Sequence, residues 1–187
     1  MYEEAWNSDS ARQALLLLRE AHDGWTELLS TAHNPASDLD PERTLRTMHQ
    51  HAASVLMWAR GLDDMAGGAN GLAGYPDTAT APNELVDAAV YACARAIHQL
   101  IQIGRFKPGG RAFPVVFPLT FKPAALMWVE EGALPPPEID NGPIRSRRRR
   151  AYLNRWAGRP MADGLAEVRA YMDAHIAAAV GVDRLQP

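Results

Sequence analysis

Apolar residues recur every three to four positions along most of the chain, which is the period of an amphipathic α-helix. Ala14, Leu15, Leu18, Ala21, Trp25, Leu28 and Leu29 share one face and predict a first helix that starts near Ser8 or Ser10 and ends near Ser30. His33-Asn34-Pro35 breaks the pattern, and Asp40-Pro41-Glu42 restarts it with a capping acid, proline at the first helical position and a second acid in the positive first turn. Leu45, Met48, Ala52, Val55, Leu56, Ala59 and Leu62 carry this second helix to about Met65. A third is predicted from Pro82 to Ile103 on Leu85, Ala88, Ala89, Ala92, Ala96, Leu100 and Ile103, with Gly104 as its stop. A fourth runs from Pro143 to Ala157 and is closed by Gly158. The fifth begins at Pro160 and buries Met161, Leu165, Val168, Met172, Ile176 and Ala179.

Two stretches depart from this period. Residues 66–81 hold four glycines within Gly67 to Gly74, but Gly74 is not followed by the Lys-Ser/Thr pair of a phosphate-binding loop, nor is a strand expected before it, so they read as a flexible surface connection. In residues 105–137, Phe113, Phe117, Phe121 and Trp128 alternate with Pro108, Pro114, Pro118, Pro123 and Pro135 to Pro137. Proline blocks helix interiors and cannot donate to a sheet ladder, so this is an extended insertion with one or two short strands, packed on the helices through its aromatic residues. The fold class is all-α: a single domain over residues 1–187, built as a bundle of about five helices with a proline- and aromatic-rich insertion.

Composition narrows the class further. A chain of 187 residues with 47% hydrophobic and 22% charged residues buries enough surface to fold without disulfides. Cys93 is the single cysteine, which excludes a disulfide scaffold. The acidic start lacks the basic-then-apolar pattern of a signal peptide, and the apolar runs are too short to span a bilayer, so the expected location is cytoplasmic with no membrane partner. Charge is unevenly spread. Residues 145–159 contain seven arginines and no acid, and setting them aside from the net charge of −3 leaves a body of about −10.

That segment is the strongest chemical signal. At helical spacing Arg145, Arg148, Arg149, Tyr152, Arg155, Trp156 and Arg159 share one broad face. Guanidinium forks suit phosphate oxygens, and an aromatic ring among them stacks on unpaired bases. Arg145, Arg147, Arg148, Arg149, Arg150, Arg155 and Tyr152 are therefore the nucleic-acid-binding candidates. Tyr152 and Trp156 serve equally well as core anchors for the helix, and the arginines as partners for acids of the body or of another protein.

The histidines form no His-Glu-x-x-His or His-x-x-x-His pair; His49 and His51, two apart, point to opposite sides of a helix. His49, His98 and His175 lie on three different predicted helices, the remaining route to a metal site, but without local spacing no metal or cofactor is assigned. Arg95 and His98, three apart, share a helical face, where a cation beside an imidazole would hold a phosphate and move a proton without a metal. Arg46 and His51 offer a second such pair.

An all-α bundle with an arginine and a histidine four to six residues apart on one helix resembles the HEPN superfamily of helical nucleotide-binding domains. The resemblance covers the second and third helices. It implies an RNA-associated protein of bacterial defence or toxin–antitoxin systems, working as a homodimer. Arg46 and His51, or Arg95 and His98, would be the working or remnant ribonuclease centre, with binding ahead of catalysis. The competing expectation is a non-enzymatic interaction protein that uses the aromatic stretch 113–128 and docks its arginine helix on an acidic partner.

Overall fold

The computed structural model describes residues 2–32, 40–67, 75–76, 83–98, 104–107, 110–111, 121–122, 125–130, 133, 143–177 and 179–181. Within them the chain is an all-α bundle of five helices: α1 (Tyr2–Ala32), α2 (Pro41–Ala66), α3 (Glu84–Cys93), α4 (Pro143–Arg155) and α5 (Met161–Ile176). None of the described helices is long and apolar enough to cross a membrane. The glycine-rich connection lies almost wholly outside the described residues, as does the break at 33–39.

The start of α2 follows from its sequence. The Asp40 carboxylate accepts from the backbone N–H groups of Glu42 and Arg43, at 3.0 and 3.4 Å, satisfying two of the donors a helix start leaves open. Other boundaries shift. α1 begins at Tyr2, so Ser8 and Ser10 lie inside the helix and not at its cap. α3 is capped by Asn83, whose side chain accepts from Leu85 N and Val86 N. It is also shorter than the apolar period predicts. The α-helix stops at Cys93, continues as a π turn over Ala94–His98, and Gly104 opens a strand. Ala179, expected in the buried face of the fifth helix, lies beyond its end and is exposed.

Packing explains why α3 is buried on every side from Val86 to Cys93. It is enclosed by α2, α4 and α5, and its run of small residues lets the neighbouring helices approach. α1 packs against α2, and α5 packs against both of them and completes the core with Met161, Leu165, Val168, Met172 and Ile176.

The insertion forms four short strands: β1 (Gly104–Lys107), β2 (Gly110–Arg111), β3 (Phe121–Lys122) and β4 (Ala125–Trp128). β1 pairs antiparallel with β4 and β2 with β3. The residue numbers of every pair add to the same total, so the two ladders are pieces of one ribbon in a single register.

The ribbon is tied to the bundle at β4. Trp128 N donates to Arg159 O at 2.9 Å, and Gly158 N donates to Trp128 O at 3.0 Å. Gly158 has a φ of +72°, the left-handed conformation that ends a helix and favours glycine. Trp128 then stacks on Trp156, with ring centroids 4.6 Å apart, and meets the edge of Tyr152. Gly164 on α5 makes room for both indoles: a Cβ there would stand 2.8 Å from Trp128 Nε1 and 3.0 Å from Trp156 Cε2.

Candidate nucleic-acid interface

Helix α4 carries the arginine segment, and its burial divides the arginines into groups. Ala151 and Tyr152 in the helix and Trp156 just beyond it are buried. The Tyr152 hydroxyl donates to Val129 O at 2.8 Å, joining α4 to the residue after β4. Burial holds this phenol well above its ordinary pKa, ahead of the smaller influence of Tyr91. Tyr152 is therefore a core anchor and not a ring offered to a base, and Trp156 is its neighbour in the same cluster. The expected single broad face of arginines and aromatics is corrected here: its aromatic members point inward.

Three arginines are held by the body's own acids. Asp87, in the first turn of α3 and 2% exposed, receives a fork from Arg147: Nε lies 2.7 Å from Oδ2 and Nη2 donates to Oδ1 at 3.0 Å. Arg148 Nε stands 3.6 Å from the same carboxylate. Two guanidinium groups thus offset the desolvation of one buried acid, a geometry that fixes α4 against α3. At the other end Arg155 Nη2 donates to Glu167 of α5 at 2.8 Å.

What faces outward is a narrower set. Ser146, Arg150 and Asn154 are exposed and four residues apart, forming a polar stripe on the side of α4 away from Tyr152. Arg159, after the helix, is also exposed, while Arg145 and Arg149 are half-buried on the flanks. No acid lies between Pro143 and Arg159.

The two arginine–histidine pairs are placed differently. Arg46 is exposed and reaches Glu42, 3.3 Å away. His51, half-buried, lies against Gly24 of α1, where a Cβ would come within 2.6 Å of its Cε1. Five residues along an α-helix amount to about 140° of rotation, so these two side chains leave α2 on different sides. Arg95 is 4% exposed and sits in the π turn with His98, whose side chain lies outside the described residues. His49 Nδ1 bonds Leu45 O within its own helix turn, and His175 packs against the ring of Tyr171. Among the described residues no three histidine, cysteine or acid side chains gather as a metal site. Cys93 is buried, and burial raises its thiol pKa, as an inert core residue requires.

Two constellations escaped the sequence reading. One joins α1 to α5. Arg19 Nε donates to Asp173 at 2.8 Å, and Arg169 binds Asp23 and donates to His22 Nδ1 at 3.0 Å. A guanidinium can only donate, so Nδ1 accepts and the His22 ring is neutral in this contact. Burial first, then the Arg169 charge, lowers the His22 pKa from its ordinary 6.5. The second centres on Asp63, which is 6% exposed and accepts from the Tyr75 hydroxyl at 3.1 Å. Spacing of three and four between Arg19, His22 and Asp23, and of four between Arg169 and Asp173, was the available signal. Which helix faces which was not in it.

Comparison with protein-family models, with curated proteins and with solved structures found no significant match for this chain.

Proposed function

We propose that this chain is an RNA-associated, HEPN-like helical domain of the bacterial defence or toxin–antitoxin kind, acting in the cytoplasm and binding RNA phosphates through the outward side of α4 without cutting the strand. One observation carries the reading. α4 is acid-free and held in a fixed orientation by Asp87, Glu167 and Val129, while Arg150, Asn154 and the following Arg159 stay exposed. A rigid helix presenting cations and amide groups is suited to phosphate and sugar contacts, which position a nucleic acid without reading its bases. Binding is favoured over cleavage because Arg46 and His51 leave α2 on different sides and Arg95 is buried.

The competing reading, a protein-interaction surface on the aromatic stretch 113–128, loses part of its support. Leu126 and Trp128 are buried in the chain's own core. The rest of that stretch lies largely outside the described residues.

The test is retention of a single-stranded RNA by the full chain at low salt, compared with the double variant Arg150→Gln/Arg159→Gln. The proposal expects clear retention by the wild type, marked loss in the variant and intact RNA after incubation. RNA cleavage that His51→Ala or His98→Ala abolishes would replace binding with catalysis.

A further inference from the structure

A second surface, far in character from α4, lies between α1 and α2. It is an open groove of about 760 Å³, lined by Leu16, Arg19, Glu20, Gly24, Glu27 and His51 among others. Its shape depends on Gly24, since any Cβ there would collide with the His51 ring. Leu16 is exposed and gives the groove an apolar element.

Arg19 is the unusual member. Its side chain is 5% exposed, and Nε is engaged by Asp173 at 2.8 Å. Nη1 and Nη2 are buried and have no hydrogen-bond partner among the described residues. A guanidinium stays charged at any physiological pH and offers five donors in a planar fork. Leaving its two terminal nitrogens buried without acceptors is unfavourable, and a carboxylate is the group whose two oxygens match that fork. Glu20 and Glu27, seven residues apart on the same side of α1, are exposed acids in the same groove. They repel a polyanion and attract a cation.

We propose that this groove binds a small zwitterion of the amino-acid class, its carboxylate on Arg19 Nη1 and Nη2 and its ammonium beside Glu20 and Glu27. Nη1 and Nη2 are covered, so the proposed binding requires the groove wall over Arg19 to open as the carboxylate arrives. The site is independent of the RNA reading, because its acids disfavour phosphate chains.

The experiment is thermal unfolding and titration calorimetry of the full chain with L-leucine and L-lysine, and with L-leucinamide and inorganic phosphate as controls. The proposal expects a saturable stabilisation by at least one of the two amino acids and none by leucinamide, which lacks the carboxylate, or by phosphate. Glu20→Gln/Glu27→Gln should weaken the response about threefold, the size that exposed ion pairs support. Arg19→Leu should abolish it. Should Arg19→Leu fail to fold, the wild-type NMR signals of Arg19 Nε–H and the His51 ring must move on titration with the amino acid. No saturable response to either amino acid, a response to leucinamide or phosphate of equal strength, an undiminished response in Arg19→Leu, or unmoved Arg19 and His51 signals would overturn the proposal.

Discussion

Asp87 shows how much of this molecule turns on single charges. It is an acid in a helix whose other residues from Val86 to Cys93 are apolar or aromatic, and in sequence it looks like one more first-turn carboxylate. Its partner lies 60 residues further along the chain. No local pattern links the two, which is why the sequence leaves open whether the arginines face a phosphate or an acid of the body. Removing the carboxylate leaves Arg147 and Arg148 facing a buried gap, so Asp87→Ala should lower stability by about 3 kcal/mol in urea unfolding, within the range for breaking a buried ion pair. A loss near zero would mean that α4 is held by its aromatic residues alone. His22 gives a second residue-scale prediction. Its pKa is lowered in the fold, by burial and Arg169 against the opposing pull of Asp23 and Asp173. A base with a lowered folded pKa takes its proton more readily in the unfolded chain, so its contribution is present above pH 6.5 and fades as pH falls through the lowered value. The wild type should therefore lose stability more steeply than His22→Gln between about pH 7.5 and about pH 5, as read by urea midpoints. Parallel profiles would contradict this account of His22.

At the scale of elements, the helices were legible where local chemistry decides them. Asp40-Pro41 caps α2 as expected, Gly158 ends the α4 segment, and Met161, Leu165, Val168, Met172 and Ile176 are all buried along α5. Where tertiary packing decides, the reading slipped. The apolar period through Ile103 gave no warning of the π turn at Ala94–His98, because a π turn keeps apolar residues apolar and changes only their angle. The prolines of the insertion announced extended chain, but not that β4 would lodge between β1 and residues 158–160, with Trp128 in the core. Gly164 records that junction. In sequence it is a helix-weakening glycine within α5; in the fold it is the slot for two indoles. Gly164→Ala gains helix propensity yet should still destabilise, by about 2 kcal/mol, since overpacking a filled core commonly costs 1–3 kcal/mol. A variant as stable as the wild type would show that Trp128 and Trp156 move apart easily.

For the whole molecule, the contrast between an acidic body and one arginine-rich helix survives in altered form. Part of that cationic charge is spent inside the protein, on Asp87 and Glu167, and orients α4. The part that faces outward is smaller and centred on Arg150 and Arg159, with the neutral amide of Asn154 beside them. Neutralising Arg147 and Arg148 would therefore confuse folding with binding, whereas Arg150 and Arg159 separate the two. The decisive measurement is the salt dependence of single-stranded RNA binding by the full chain and by Arg150→Gln/Arg159→Gln. A phosphate-contacting α4 predicts that log K falls linearly with log salt, and that the slope of the variant is shallower by about 1.4, or about 0.7 for each contact removed on a single strand. An RNA affinity independent of salt, or a slope unchanged in the variant, would contradict it.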